Sequence, residues 1–390
     1  MLEAAAKILQ ATRAKDWRLS FVPFIIGCVY FWLWWFQISL SVSSLLLFVF
    51  SFVTTFGFAA LGYFINEFFD KATDAKAGKV NKLAFLPAKY QLMIFLGCVA
   101  ATFLPWLWLP SNRTTVILFG VEIGLFLIYS LPFPRLKQVP LISGFIDSGY
   151  AYVVPLLLSV HTYSLFANSN HKPMIIFLSA AVFFIGFRNI TIHHVNDIFK
   201  DIRSRSVTLP QIIGANATNY LVTILLLEEI FLVIAWTMVI ALQQPLFWLW
   251  LLIFSVALVF RYRFVAKDFR LQFISIEPVR HLTDPIYQYV FPAFTLLLAI
   301  SFDYKWLVLV PFHIALLITE PMRKKAVEVA RSKSVTYKYV IIGAVRATVI
   351  VPAGVVVNYT IYFGFLLVGV NLRKENTDAI SFIKRKLNRQ

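Results

Sequence analysis

The chain has 390 residues, of which 59% are hydrophobic and only 14% are charged, and its mean hydropathy is +0.76. This composition excludes a water-soluble globular protein and predicts an integral membrane protein. The net charge of +17 is high enough for nucleic-acid binding, but the basic residues cluster in short segments between apolar runs. That distribution is typical of loops facing anionic lipid headgroups, so we expect the lipid bilayer, and no nucleic acid, as a partner.

Apolar runs of about twenty residues recur along the chain, whereas the short alternating strands of a β-barrel do not occur. The sequence therefore predicts an all-α fold, a polytopic transmembrane helical bundle with about nine core spans and extra C-terminal helices. We divide the chain into a bundle, 1–302, and a C-terminal extension with further membrane helices and a basic tail, 303–390. The candidate spans are 19–37, 44–66, 90–109, 114–131, 140–160, 174–195, 219–242, 244–262, 285–302 and 304–320, followed by an apolar stretch at 339–371.

The connections between the spans alternate between segments rich in Lys and Arg and segments with few. By the positive-inside rule, this alternation places the N-terminus and the ends of the second and sixth spans on the cytoplasmic side. Residues 1–18 are polar and basic, so no cleaved signal peptide is expected. A hairpin within 339–371 would return the basic tail to the same side. Residues 263–284 fit an amphipathic helix in the membrane interface, a cap over the site, or a plain loop. Cys28 and Cys98 lie inside apolar runs and are expected to be packing residues.

The second predicted span ends in a cluster of acidic residues that begins at Asn66. On an α-helix, Asn66, Asp70 and Asp74 lie at steps of four residues, and Glu67 lies three residues before Asp70. All four side chains therefore share one face of the helix. Three carboxylates in an apolar setting repel each other unless a cation lies among them, and oxygen ligands suit Mg²⁺. The alternative is a solvated helix end with ordinary surface charges.

A second acidic cluster ends the sixth predicted span and contains Asn196, Asp197 and Asp201. Its two aspartates again lie four residues apart on one helical face. An offset of 127 residues separates Asp70 from Asp197 and also Asp74 from Asp201. This repetition indicates two related halves that each deliver an acidic helix end, and it favours a metal site over a solvated helix end.

The two clusters resemble the signature motifs of UbiA-type membrane prenyltransferases, Asn-Asp-x-x-Asp-x-x-x-Asp and Asp-x-x-x-Asp, in order and spacing. The first cluster departs at Glu67, which keeps the negative charge of the usual Asp and adds one methylene. Further resemblance lies in residues 129–137, which read YSLPFPRLK, and in residues 208–210, Thr-Leu-Pro, followed by Gly214. The resemblance covers roughly residues 15–300 and leaves out the C-terminal extension.

The resemblance implies a Mg²⁺-dependent transferase of isoprenoid biosynthesis, which moves a prenyl group from a prenyl diphosphate to a lipophilic, aromatic or quinone-like acceptor. Because a diphosphate is itself anionic, its binding to carboxylates requires bridging cations, and two Mg²⁺ ions, replaceable by Mn²⁺, would serve. The expected metal ligands are Glu67, Asp70, Asp74, Asp197 and Asp201. The expected substrate-binding residues are Asn66, Lys71, Arg135, Lys137, Asn196, Lys200 and Arg203. Contacts with lipid headgroups are the alternative for the basic residues.

Two residues inside predicted spans are expected to act in catalysis, Asp147 and Tyr129. A carboxylate is costly at membrane depth, so Asp147 and Glu122 should face the bundle interior or a cavity. Asp147 is the candidate that orients or deprotonates the acceptor, whereas Tyr129 is assigned through the resemblance. Aromatic residues, 17% of the chain, would line an apolar cavity that keeps an allylic cation away from water.

Two other functions remain open at this point. A phosphoribosyl or glycosyl transferase acting on a lipid phosphate would use the same acids with a water-soluble diphosphate donor. An ion-coupled transporter would use intramembrane carboxylates to carry cations or protons. Against a transporter, the acids cluster at the cytoplasmic ends of two spans, whereas transporters bind their cargo near the bilayer midplane.

Overall fold

The computed structural model describes residues 12, 22–78, 80–133, 136–169, 172–203, 206–265 and 282–317, and all regular structure in these segments is helical. The α-helices are α1 (Val22–Trp35), α2 (Val42–Ala77), α3 (Ala88–Phe103), α4 (Arg113–Ser130), α5 (Pro140–Ser148), α6 (Val154–Phe166), α7 (Lys172–Asn196), α8 (Ile198–Arg203), α9 (Leu209–Gln243), α10 (Trp248–Val265), α11 (Phe291–Phe302) and α12 (Val310–Leu317). The π-helical turns are Gly149–Val153 and Ile286–Val290, and the 3₁₀ turns are Leu104–Leu107, Leu136–Gln138, Pro245–Phe247 and Tyr304–Leu309.

Eight helical segments of the described chain are long and apolar enough to cross a membrane. Helix α1 is shorter, with 14 residues, and is buried along nearly its whole length. These nine segments correspond to the first nine predicted spans, which confirms the all-α polytopic bundle. The chain separates into two compact units after Val310. Because only residues 311–317 of the second unit are described, the division predicted at residue 302 stays a prediction.

Several sequence predictions fall on the part of the chain that is not described. They are the polar N-terminal segment 1–18, most of the proposed capping segment 263–284, and the C-terminal apolar stretch 339–371 with its basic tail. The two cysteines are both described, and both are free and buried, as expected for packing residues.

Helix α2 carries the first acidic cluster, and both of its ends are capped. At its start, the Ser41 hydroxyl accepts from the Ser44 amide at 3.1 Å, and the Ser44 hydroxyl accepts from the Ser41 amide at 2.7 Å. At its end, Gly78 has a φ of 68°, in the left-handed region that favours glycine. The 36 residues between these caps rise about 54 Å, more than the ~30 Å hydrocarbon core requires. The helix therefore continues past the predicted end of the span at residue 66 and includes the whole acidic cluster.

An aromatic core fills the end of the bundle that is remote from the acids. Helix α1 packs against α6 and α11, and α7 packs against α9. The rings of this core lie with centroids 5.2 to 6.1 Å apart and belong to Phe31, Trp236, Phe247, Trp250 and Phe291. Aromatic pairs in such arrangements contribute about 0.5–1.5 kcal/mol each beyond their burial. Trp236 lies near the C-terminal end of α9, whereas the second acidic cluster precedes the N-terminal end of this helix. The aromatic core and the acidic clusters therefore lie at opposite ends of α9.

The fifth membrane segment, Pro140–Phe166, is not a continuous α-helix. Its first part, α5, packs closely on α7 because Gly144 has no side chain, and a Cβ there would lie 2.1 Å from the Phe187 ring. The helix then widens into the π-helical turn Gly149–Val153 before α6 begins at Val154. Single π-helical turns within α-helices are frequent at functional sites.

Candidate active site

The first acidic cluster is enclosed by the protein. Asn66, Glu67, Asp70 and Asp74 all lie in the last turns of α2. Glu67 is 7% exposed, and Asp70 exposes 14% of its side chain. Carboxylates this enclosed require cations or hydrogen-bond donors to offset their lost hydration. Segments that follow α2 and α4 supply such groups.

Lys137 is the cation that contacts the first cluster. It lies in the 3₁₀ turn Leu136–Gln138, between α4 and α5. Its Nζ donates to Asn66 Oδ1 at 3.0 Å and forms an ion pair with the carboxylate of Asp70. Lys137 exposes 13% of its side chain, so this ion pair is largely shielded from solvent. The structure thus brings Lys137 to two other residues that the sequence assigned to the site.

The chain folds back over the first cluster immediately after α2. Asn81, which is 4% exposed, donates from Nδ2 to the Glu67 carbonyl oxygen at 2.8 Å and to the Asp74 carboxylate at 3.0 Å. Its Oδ1 accepts from the Ala84 amide at 3.1 Å, so one side chain ties this loop to two turns of α2. Asn81 was not predicted as a site residue, because its contacts depend on how the loop folds and no motif spacing marks it.

Lys71 contacts Gln91, the residue that holds the same loop. Its Nζ donates to Gln91 Oε1 at 2.6 Å, and Gln91 Nε2 donates to the carbonyl oxygens of Leu83 and Leu86 at 3.1 and 2.7 Å. The Lys71 ammonium also lies 4.3 Å from the centroid of the Phe68 ring. In this structure Lys71 therefore contacts Gln91 of α3, which in turn holds the loop, and the contact of Lys71 with a diphosphate stays a prediction.

The second acidic cluster lies at a break between two helices. Helix α7 ends at Asn196 and α8 begins at Ile198, but the Asp201 amide still donates to the Asp197 carbonyl at 2.9 Å. The two aspartates therefore remain one helical turn apart. Asp201 is 8% exposed, and His193 Nε2 lies 3.8 Å from Asp197 Oδ2. Helix α8 packs against both α7 and α2, which brings the two clusters to the same end of the bundle.

Three predicted substrate-binding residues are not described in full. Arg135 lies outside the described residues. Lys200 and Arg203 belong to α8, but their side chains are not part of the described structure. The contacts of these three residues with a substrate stay predictions.

The donor atoms of the two clusters fit a hard divalent cation. The five predicted metal ligands and the neighbouring Asn66 and Asn196 offer carboxylate and amide oxygens, which are the ligands that Mg²⁺ prefers. Among the described residues, no group of three or more His, Cys, Asp and Glu side chains is already arranged to hold a metal ion. Lys137 contacts Asp70 instead, and Asn81 contacts Asp74.

The two predicted catalytic residues are neighbours in the bundle interior. Tyr150 donates its hydroxyl hydrogen to Oδ1 of Asp147 at 2.6 Å. The ring of Tyr129 contacts that of Tyr150, with centroids 5.3 Å apart, and Tyr129 lies within electrostatic range of both Asp147 and Asp70. Tyr129 therefore lies near both the interior carboxylate and the first acidic cluster. Glu122 is also buried, as predicted, and neither of its carboxyl oxygens has a hydrogen-bond partner among the described residues.

A buried charge network around Arg188 was not predicted. Arg188 pairs with Glu229 at 2.7 Å and with Asp284 at 2.9 Å, and it donates to Thr283 Oγ1 at 3.1 Å. The network joins α7, α9 and the segment that leads into the π-helical turn Ile286–Val290. A charged residue in an apolar span indicates an interior partner. The partners of Arg188 could not be identified from spacing, since they lie 41 and 96 residues away in the chain.

The sequence profile of the UbiA prenyltransferase family matches residues 19–272. The chain belongs to this family. The matched region contains both acidic clusters, Lys137 and Asp147, so the residues brought together here lie within the part of the chain that matches the family. A comparison with curated protein sequences found no match.

Two solved structures have the same fold as this family member. A UbiA homologue from Archaeoglobus fulgidus bound to GPP and Mg²⁺ is 15% identical, with a TM-score of 0.52, over 77% of this chain and 99% of the homologue. A UbiA homologue from the same organism bound to DMAPP and Mg²⁺ is 16% identical, with a TM-score of 0.51, over 75% and 99% of the two chains. Family membership and eight membrane-crossing segments together make the chain an integral, multi-pass membrane protein.

Proposed function

We propose that this protein transfers a prenyl group from a prenyl diphosphate to a lipophilic acceptor, an aromatic or quinone-like ring, in a Mg²⁺-dependent reaction. The observation that carries this proposal is the meeting of two acidic helix ends, on α2 and α8, with Asp147 and Asp70 both within electrostatic range of Tyr129. The A. fulgidus homologues bound to GPP or DMAPP and Mg²⁺ support the class of donor and the metal.

The acidic clusters would hold the metal ions. Two Mg²⁺ ions, with Mn²⁺ as a substitute, would be bound by Glu67, Asp70, Asp74, Asp197 and Asp201. Bound Mg²⁺ supplies positive charge that neutralises the donor oxygens and the departing diphosphate. Asn81 would keep the Asp74 carboxylate oriented toward such an ion, since it donates to one of its oxygens.

The basic and amide side chains near the clusters would bind the diphosphate. Lys137 is the described cation best placed for this, because its ammonium already contacts Asn66 and Asp70. Donor oxygens beside Asp70 would be within reach of the same ammonium. We propose the same role for Lys71, Arg135, Asn196, Lys200 and Arg203, among which the arginines are suited to bidentate phosphate contacts.

The reaction breaks the bond between the allylic C1 of the donor and the bridging oxygen, and the electron pair leaves with the diphosphate. A new bond forms between C1 and a nucleophilic carbon or oxygen of the acceptor, which loses a proton. We assign that proton to the Asp147 carboxylate. The rings of Phe126, Tyr129 and Tyr150, with centroids 4.9 and 5.3 Å apart, would exclude water and stabilise positive charge on the allylic carbon.

A donor screen with the purified protein in lipid nanodiscs tests this function. Labelled DMAPP, GPP, longer prenyl diphosphates and phosphoribosyl diphosphate are each incubated with a lipid extract, and the products are identified by mass spectrometry. A lipid labelled from a prenyl diphosphate, absent in EDTA and restored by Mg²⁺, supports prenyl transfer. Labelling from phosphoribosyl diphosphate alone would establish the alternative transferase, and cation-coupled uptake by vesicles without any labelled lipid would establish a transporter.

We also propose that the N-terminus and both acidic clusters face the cytoplasm. They lie on the side of the membrane where the connections between the spans are rich in Lys and Arg, and such connections favour the cytoplasmic side. Lys82 is exposed in the loop after α2, so a label attached at this position shows on which side of the membrane the loop lies. A Lys82→Cys variant without Cys28 and Cys98 should react with a membrane-impermeant maleimide only after the membrane is opened. Labelling in intact cells would overturn this orientation.

A further inference from the structure

A nine-residue pattern occurs twice in the bundle. Residues 147–155 read Asp-Ser-Gly-Tyr-Ala-Tyr-Val-Val-Pro, and residues 284–292 read Asp-Pro-Ile-Tyr-Gln-Tyr-Val-Phe-Pro. Both follow Asp-x-x-Tyr-x-Tyr-Val-x-Pro. The middle of each copy forms a π-helical turn, Gly149–Val153 in the first and Ile286–Val290 in the second. The two turns are therefore counterparts in sequence and in local structure.

The aspartate of the second copy is neutralised by arginine. Asp284 pairs with Arg188 at 2.9 Å, and Arg261 lies within electrostatic range of the same carboxylate. Arg188 also pairs with Glu229, and both side chains are completely buried. Removing one partner of such a network leaves an uncompensated buried charge and is strongly destabilising. These contacts give the second copy a structural role, in which it ties α7 and α9 to the ninth membrane segment.

The aspartate of the first copy has no such counter-charge. Among the described residues, no Lys or Arg pairs with Asp147, and Tyr150 is its hydrogen-bond partner. Tyr150 donates to Oδ1, and no described hydrogen bond reaches Oδ2. Asp147 and Tyr150 both lie among packed helices and yet remain partly accessible. Neither side chain is therefore fully covered by its neighbours.

A second acceptor atom near the first copy, Oδ1 of Asn189, lacks a hydrogen-bond donor among the described residues. Tyr152, in the same π-helical turn, accepts a hydrogen bond at 3.0 Å from Nδ2 of Asn189 on α7. The Oδ1 atom of Asn189 is buried and has no hydrogen-bond partner among the described residues. A buried acceptor without a donor is costly, and a hydrogen-bond donor on a ligand would remove that cost. Tyr152 lies within electrostatic range of Asp147, so the two unfilled acceptors flank one turn.

We propose that the first π-helical turn binds a hydroxyl group of the prenyl acceptor, an inference that rests on the proposed prenyl transfer. Asp147 accepts a hydrogen bond from this hydroxyl. Tyr150 is a positioning residue, because it holds the carboxylate through its other oxygen. The acceptor is accordingly a hydroxylated compound, a phenol, hydroquinone or alcohol. The second copy, paired with Arg188, binds no acceptor.

Binding of 4-nonylphenol and of its methyl ether tests this proposal, since the ether lacks the donated hydrogen. Quenching of tryptophan fluorescence in nanodiscs, without donor or metal, measures both affinities. The wild-type protein should bind the phenol about tenfold more tightly than the ether, as one hydrogen bond to a charged group allows. This preference should be lost in Tyr150→Phe and retained in Tyr287→Phe, the matched change in the second copy.

Equal affinity of the wild-type protein for the phenol and the ether would overturn the proposal, as would a Tyr150→Phe variant that keeps the preference. If Tyr150→Phe does not fold, the wild-type comparison and Asp147→Asn decide the question. In turnover, Tyr150→Phe should raise the KM for the acceptor about tenfold and leave the KM for the donor unchanged. A purely structural role would lower the Tm and change both constants. Because the binding measurement needs no turnover, it stands even if the donor screen finds no prenyl transfer.

Discussion

The two acidic clusters share a pair of aspartates four residues apart, but the protein holds the two pairs differently. Helix α2 runs unbroken through the first cluster, and side chains from two other segments, Lys137 and Asn81, contact its carboxylates. The second cluster lies where α7 gives way to α8, and backbone hydrogen bonds from the Asp197 and Asp201 amides maintain the helical turn across this break.

This difference shows that a repeated motif does not guarantee a repeated environment. The first cluster is held in place before any ligand binds, because its helix is continuous and its carboxylates are contacted by Lys137 and Asn81. The second cluster lies on a short helix after a break, so we expect it to adopt its final arrangement when a ligand binds. Variants that affect one cluster or the other can test this difference.

The largest effect is expected from removing one proposed metal ligand in each cluster. Asp70→Ala and Asp197→Ala should each lower kcat by more than about 100-fold, because each removes a carboxylate that would bind the metal ions. Prenyl transfer in nanodiscs measures the loss, and an unchanged Tm shows that the fold persists. Excess EDTA should likewise abolish the activity of the wild-type protein. An active Asp70→Ala enzyme would mean that the first cluster is not a metal site.

Loss of the cation on the first cluster should have the next largest effect. Lys137→Gln is expected to weaken donor binding about tenfold or more, because it removes charge-assisted hydrogen bonds to the diphosphate. Lys89→Gln is the matched control, since it removes the same charge from an exposed side chain on α3 that has no proposed role in donor binding. Donor KM values measure both variants. An equal loss in the two would indicate a general electrostatic effect and no specific contact of Lys137.

Asn81 tests whether the first cluster depends on the loop that folds over it. Asn81→Ala should weaken Mn²⁺ binding in the presence of a diphosphate about tenfold, because Asp74 loses the donor that orients it. Gln91→Ala is the control, since Gln91 anchors the same loop and contacts Lys71 and two backbone carbonyls. Electron paramagnetic resonance of Mn²⁺ follows the binding. If Gln91→Ala weakens binding as much, loop anchoring matters and the Asn81 hydrogen bond does not.

Glu67 is the position where the first motif departs from the family pattern. Substitutions of Glu67 should have smaller effects on activity, and the size of the effect should depend on whether the new side chain keeps the charge. Glu67→Asp should retain activity, because a Mg²⁺ site that keeps several waters tolerates the loss of one methylene. Glu67→Gln keeps the size but removes the charge, so it should raise the Mg²⁺ concentration needed for half-maximal rate. Wild-type rates in Glu67→Gln at limiting Mg²⁺ would show that Glu67 is not a ligand.

The smallest effect is expected far from both clusters, at Asp303 after α11. Its pKa is lowered because the carboxylate accepts hydrogen bonds from the backbone amides of Leu40 at 2.8 Å and Lys305 at 3.1 Å. A lowered pKa in the folded state stabilises the protein above the ordinary Asp value of about 3.9, and that stabilisation is lost as the pH falls through the folded-state pKa. Asp303→Asn should lower the Tm slightly at pH 7 and progressively less below pH 4, with unchanged metal binding. A constant difference in Tm across this range would contradict the assignment.

Much of the fold and part of the site could be predicted because they depend on local patterns. The apolar runs predicted the nine membrane segments of the described bundle, and the steps of four residues placed Asn66, Asp70 and Asp74 on one helix. The exact ends of the helices were harder to predict. Helix α2 continues past residue 66 to Gly78, where the backbone turns left-handed, because no earlier residue interrupts it. The two π-helical turns were not predicted, although the repeated Asp-x-x-Tyr-x-Tyr-Val-x-Pro pattern was present in the sequence.

Local sequence patterns are enough to show which residues carry charge inside an apolar chain and which of them share a helix face, because helical periodicity and the cost of burying charge act locally. The pairings across the bundle depend instead on the three-dimensional packing. Lys137 contacts Asp70 from 67 residues away, and Arg188 selects Asp284 from 96 residues away. Asp147 retains an accessible carboxylate because no arginine contacts it in the described bundle, a distinction that the two identical patterns do not contain. Such pairings depend on how the helices pack, which no local spacing encodes.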